Sequence, residues 1–383
     1  MSSSGLTSPA TASFQPAMRR LRLSPTLTKY IARQYLFWFA SFFFAVVAII
    51  FLATIVDLLD RLATKDVSLS VTLQMALLKL PYLSQEVMPF TVLFAAMTTF
   101  WRLTRSHELV VARAAGISVW QFLLPVLGSS VLIGFFTLGA FNPLASILLS
   151  RYEHLEANYI RNQSSMLAVS KTGLWLRQAD QDGQSVIHAE RVKPESVALQ
   201  QVMVFRYAEE DRFVDRIDAR EAELQRGHWL LYDAWLSRPG EPSEFHEQMK
   251  LPTDLTFDKI QESFAPPETI AFWELPAFIE LMQAAGFSAI PHRLQFHRLL
   301  ALPMLFAAMV LLAATFSLRP QRRGRVGLVI LAGMLTGFLL YFMSNFVFAI
   351  GLSGTIPVVL AAWTPAGVSL MLGVAMLLHL EDG

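Results

Sequence analysis

The chain has 383 residues, of which 54% are hydrophobic and only 16% charged, with a formal net charge of +1. That balance gives no electrostatic case for nucleic-acid binding and points to the bilayer as the solvent of much of the fold. There is no cysteine, which removes disulfide frameworks, thiol nucleophiles and thiolate metal sites.

Residues 1–29 combine a Ser/Thr/Ala/Pro-rich stretch, too poor in apolar side chains to bury, with a basic cluster that includes Arg19, Arg20, Arg22 and Lys29. The composition predicts a disordered start. An apolar run from Tyr35 to Val56 follows, longer than a signal-peptide core and without a small-residue cleavage site, so an uncleaved membrane helix is expected. A second span is expected from Val71 to Trp101, interrupted by Lys79, Pro81, Glu86 and Pro89, and a third from Val119 to Phe141.

From about Leu149 the character changes. Charges become frequent, and apolar and polar residues alternate in Gly173–Arg177, Val202–Tyr207 and Trp229–Trp235, with turn signals at Asp182-Gly183, Arg226-Gly227 and Pro239-Gly240. Period two means strands, and an all-β, jellyroll-like sandwich is expected over 149–266. Residues 267–290 read as an amphipathic connector helix with Ile270, Trp273, Phe278, Leu281 and Met282 on one stripe. Spans from Phe296 to Leu318, Val326 to Ile350 and Pro357 to Leu378 complete six transmembrane helices, in blocks 30–148 and 291–383. Basic clusters at the N-terminus, at Arg102, Arg105 and Arg113, and at Arg319, Arg322, Arg323 and Arg325 orient the chain, because cytoplasmic loops carry the Lys/Arg excess. Both termini are therefore expected inside and the β domain outside.

No phosphate-binding Gly-x-x-x-x-Gly-Lys-Ser/Thr loop or His-Glu-x-x-His motif occurs, and the histidines lack metal-ligand spacing. No metal, cofactor or catalytic group is implied. Away from the span ends only Lys79 and Glu86 carry charge; they pair with each other or a neighbouring helix, or they serve ion coupling. The stretch 102–116 is too short and polar to span, with Leu109, Val110 and Ala114 at helical spacing and Gly116 as a stop. It is a helix that docks on a cytoplasmic ATPase through Glu108, or a connector lying on headgroups. Arg61, Lys65, Lys79, Arg151, Arg161, Arg293 and Arg298 fall near the outer ends of spans or the attachment points of the β insert. They pair with Asp57, Asp60, Asp66 or Glu153, or they ring the outer leaflet as phosphate ligands.

The segment Ser106–Gly116, Gly173-Leu174-Trp175 with Glu190-Arg191-Val192, and Phe316–Arg319 with Arg322-Arg323-Gly324, in this order across six spans, resemble the LptF/LptG (YjgP/YjgQ) family of lipopolysaccharide export permeases, nearer its LptG branch. The resemblance implies a bacterial inner-membrane, multi-pass subunit of an ABC-type exporter. It pairs with an LptF-like permease, is driven by an LptB-like ATPase dimer, and passes lipopolysaccharide to an LptC-like partner and the periplasmic bridge. Glu108, Arg105, Arg113 and Gly116 would belong to the coupling helix, and Arg61, Lys65, Lys79, Arg293 and Arg298 to lipid-phosphate contacts. Spans one and five would face the partner. A membrane sensor or scaffold with a ligand-binding β domain is the alternative, disfavoured because the sequence shows no cytoplasmic output domain.

Overall fold

The computed structural model describes residues 25–63, 67–114, 117–161, 166–170, 173–180, 183–193, 198–208, 212–253, 265–284, 287–318 and 326–381. The expected disordered start, Lys65, Gly116 and the cluster Arg319–Arg325 lie outside them.

Among the described residues six helices are long and apolar enough to cross a membrane. The first two are α1 (Pro25–Leu62) and α2 (Leu69–Arg105), followed by the short α3 (Glu108–Ala114). The third span is longer than its hydropathy suggests. It comprises α4 (Val119–Phe136), a π turn (Thr137–Phe141), α5 (Asn142–Glu156) and a second π turn (Ala157–Arg161). A Ser118–Gln121 capping box starts it: the Ser118 N–H donates to Gln121 Oε1 at 3.1 Å and the Gln121 N–H to Ser118 Oγ at 3.3 Å. The helix therefore continues well into the region expected to be β, because Leu149, Tyr152 and Glu156 recur at helical spacing and all are buried.

Seven antiparallel strands follow among the described residues: β1 (Met166–Ser170), β2 (Gly173–Asp180), β3 (Gly183–Lys193), β4 (Ala198–Ala208), β5 (Arg212–Gln225), β6 (His228–Ser237) and β7 (Glu244–Pro252). The three alternating runs read from the sequence fall in β2, β4 and β6. Among the described residues the expected β domain is one meander in sequence order. Its core face is built of register rows: Leu176, Ile187, Val204, Ile217 and Leu236 form one, all buried. The sheet curls, since Gln178 on β2 donates to the Pro252 carbonyl at 3.0 Å and accepts from the Thr253 hydroxyl at 2.7 Å. Gly227 and Gly240 turn the last two hairpins at φ +82° and +83°, where a side chain would strain the backbone.

The return segment differs from the expected continuous helix. A 3₁₀ turn (Pro267–Thr269) comes first, then α6 (Leu275–Ala284), then α7 (Ile290–Ser317), α8 (Val326–Leu352) and α9 (Val358–Glu381). Helix cannot run through Phe272, because its N–H is taken by a side chain of the third span. The stripe itself divides: Ile270 and Met282 are buried, whereas Trp273 is exposed.

Helix α7 is the hub, packed against α2, α4 and α9, with 67% of its most apolar window buried. Close approach is permitted by glycine. A Cβ on Gly134 of α4 would lie 2.6 Å from Pro303 Cα on α7.

Candidate functional site

Two spans stay largely bare. Only 11% of the most apolar window is buried in α1, and likewise in α8, against 67% in α7. On α1 Phe37, Phe44, Ile49, Leu52 and Val56 point away from the bundle; on α8 Leu331, Leu335, Phe338, Phe342 and Phe346 do. Helix α2 contacts both, through Phe42–Phe94 on the α1 side (6.3 Å) and Phe90–Tyr341 on the α8 side (5.3 Å). The chain thus presents two unpartnered apolar walls flanking α2.

The cations expected to ring this region are mostly engaged. Arg61 on α1 pairs with Asp57 at 3.1 Å and reaches Glu156 of α5 at 3.9 Å. Tyr152 links the next member: its hydroxyl donates to Glu156 at 3.0 Å and accepts from Lys79 of α2 at 3.4 Å, with the Lys79 ammonium 4.8 Å from the ring centroid. Arg298 of α7 donates to Glu86 of α2 at 2.8 Å and stacks over Phe348 of α8 at 5.0 Å. Lys79 and Glu86 therefore pair with neighbouring helices, not with each other. A cavity of about 60 Å³ opens beside the second pair, lined in part by Gln295, Tyr341, Ser344 and Ser369. Arg293, one turn into α7, is exposed.

At the opposite end of the bundle α2 turns sharply into α3 at His107, whose φ is +58°, a region in which His is tolerated better than most residues. Glu108 is held at the turn: its Oε1 accepts from Ser106 Oγ at 2.8 Å and from the Tyr30 hydroxyl of α1 at 3.3 Å. Leu109 and Ala112 pack inward, leaving Val110 59% and Val111 68% exposed. Of the expected apolar stripe, Leu109 faces the bundle and Val110 faces out. Arg105 lies 5.2 Å from the Trp101 ring centroid; the Arg113 side chain lies outside the described residues.

Sequence reasoning missed Tyr30, Tyr152, Glu156 and the buried pair Gln85–Asn142, in which Asn142 Nδ2 donates to Gln85 Oε1 at 3.3 Å. Only Asn142-Pro143, inside an otherwise apolar helix, carried a signal: Pro143 breaks the hydrogen-bond ladder there.

A family profile described as lipopolysaccharide export system permease LptF/LptG matches residues 29–379. The lipopolysaccharide export system permease protein LptG of Escherichia coli K12 is 23% identical over 312 residues, covering 79% of this chain and 84% of that protein. The protein of the same name from Haemophilus influenzae is 21% identical over 296 residues, covering 76% of this chain and 80% of that one.

Proposed function

Because the chain belongs to the LptF/LptG family of lipopolysaccharide export permeases, we propose that it is the LptG-type permease subunit of an ABC exporter. It draws lipopolysaccharide from the outer leaflet of the bacterial inner membrane and passes it to a periplasmic bridge. The observation that carries this reading is the pair of bare walls. Lipid tails solvate such walls as well as a protein interior would, so their exposure costs little, and it leaves both free to enclose, with a partner, a wide apolar cavity for acyl chains. An LptF-like subunit supplies the facing walls, an LptB-like ATPase dimer the energy, and an LptC-like protein the first step outward. The Arg clusters at the inner ends of the spans support cytoplasmic termini and a periplasmic sheet.

Within this reading α3 is the coupling helix. Glu108, fixed by Ser106 and Tyr30, sets its angle, and Val110 and Val111 seat in the ATPase; Arg105, Arg113 and Gly116 belong to the same segment by sequence. Among the outer cations Arg293 is the best phosphate ligand, because it is exposed and, unlike Arg61, is not held by a carboxylate of its own or a neighbouring helix among the described residues; Arg61, Lys79 and Arg298 chiefly hold helices together, and Lys65 joins the phosphate ligands by its place in the sequence.

Reconstitution with the partner permease and ATPase in lipopolysaccharide-containing vesicles tests the whole. ATP-dependent lipid release is expected, with lipid adducts at photo-crosslinkers replacing Phe44 or Phe338 and none at buried Phe122. Val111→Glu should abolish the coupled ATPase activity. Absence of both release and adducts in the complete assembly would overturn the reading.

A further inference from the structure

Where the third span leaves the bundle, the hydrogen-bond ladder is broken and mended from outside. Asn142 N–H donates five residues back to Thr137 O, and Pro143 has no N–H to give, so the Gly139 carbonyl loses its ordinary partner four residues on. Gly139 lies about 30 Å along from Val119, at the edge of a ~30 Å hydrocarbon core, where an unmet carbonyl is costly. The indole of Trp273 fills the gap: Nε1–H donates to Gly139 O at 3.1 Å. One residue earlier, the Phe272 N–H donates to Asn142 Oδ1 at 3.0 Å, while the Asn142 amide also holds Gln85 of α2. Asn142, Gln85 and Phe272 are all buried.

Trp273 and Phe272 sit on the chain returning from the β domain; Gly139 and Asn142 sit on the helix leading into it. We propose that Asn142, Pro143 and Trp273 form a clamp joining these two connections, so that a tilt of the third span moves, as one stem, the helix leading towards the β domain and the described segment returning from it. Pro143 creates the vacancy, Trp273 occupies it, and Asn142 ties the stem to α2. The assignment of this movement to lipid hand-off rests on the export reading above; the clamp itself does not. All three are positioning residues.

The absence of cysteine allows spin labels at Leu132→Cys on α4 and Glu247→Cys on β7 in the complete reconstituted complex, with pulsed-dipolar distances as the readout. Trp273→Phe keeps the ring and removes the N–H. It should raise the population of unclamped distances about five-fold, the equivalent of one neutral hydrogen bond, and lower the unfolding midpoint. Pro143→Ala returns an N–H to Gly139. In the double variant it should therefore restore the midpoint but leave the distances spread, which a merely structural role for Trp273 would not produce. Asn142→Leu should spread the distances independently. Unchanged distances in both Trp273→Phe and Asn142→Leu would overturn the clamp. Lipid release separates the two ideas: spread distances with wild-type release rates remove the link to hand-off and leave the clamp, whereas a wild-type complex that releases no lipid removes the export reading alone.

Discussion

Replacing Gly134 with Ala tests how tightly α4 and α7 are seated. The added Cβ would lie 2.6 Å from Pro303 Cα, 3.0 Å from its Cβ and 3.1 Å from its N. Carbon atoms rest at about 3.5–4.0 Å, so the helices must part by roughly 1 Å, and the obstacle is backbone that no rotamer change removes. Overpacking of this kind costs ~1–3 kcal/mol, and the rigid neighbour puts Gly134→Ala at the upper end. The better helix propensity of Ala returns only about 0.5–1 kcal/mol. A net loss of about 2 kcal/mol is expected. Gly128 on the same helix has nothing within 4 Å of its would-be Cβ, so Gly128→Ala should gain what propensity offers. Thermal unfolding of the purified complex, followed by tryptophan fluorescence, separates them. A Gly134→Ala midpoint at or above that of Gly128→Ala would refute the reasoning.

Arg298→Met or Glu86→Met alone should destabilise by up to ~3–5 kcal/mol, reduced because the two side chains are 27% and 20% exposed, while the double Met variant should melt near wild type. Tyr152→Phe removes a donor to Glu156 and an acceptor for Lys79; about 1–3 kcal/mol of stability should be lost, seen as a lower unfolding midpoint. Trp229, 1% exposed in the sheet core, should cost ~3–5 kcal/mol as Ala. Limited proteolysis should then cut within 166–253 before it cuts the spans.

The spans were legible because length and hydropathy are local properties, and a run of more than 18 apolar residues has few soluble explanations. The continuation through α5 was not. Arg151, Glu153 and His154 depress the average, although the buried residues Leu149, Tyr152 and Glu156 keep helical spacing. Alternation located β2, β4 and β6, but the closure of the sheet through Gln178 and Thr253 depends on residues 75 apart, which no local pattern encodes. The same holds for the polar contacts. Glu108 was visible as a lone carboxylate on a short helix; that Tyr30, 78 residues away, holds it was not. Arg298 was visible as a cation near the outer boundary; its pairing with Glu86 spans 212 residues.

The strict sequence order of the strands has a consequence for biosynthesis. Among the described residues each strand's backbone ladder runs only to its neighbours in sequence, so every strand pairing closes a short loop, and only the closing contacts of Gln178 with Pro252 and Thr253 wait for distant chain. The sheet can zip hairpin by hairpin as the nascent polypeptide emerges, before α7 has been translated. The hub helix then arrives ahead of α8 and α9, packing against α2 and α4 with the insert already shaped, so that the half of the bundle made first must tolerate an open flank during synthesis.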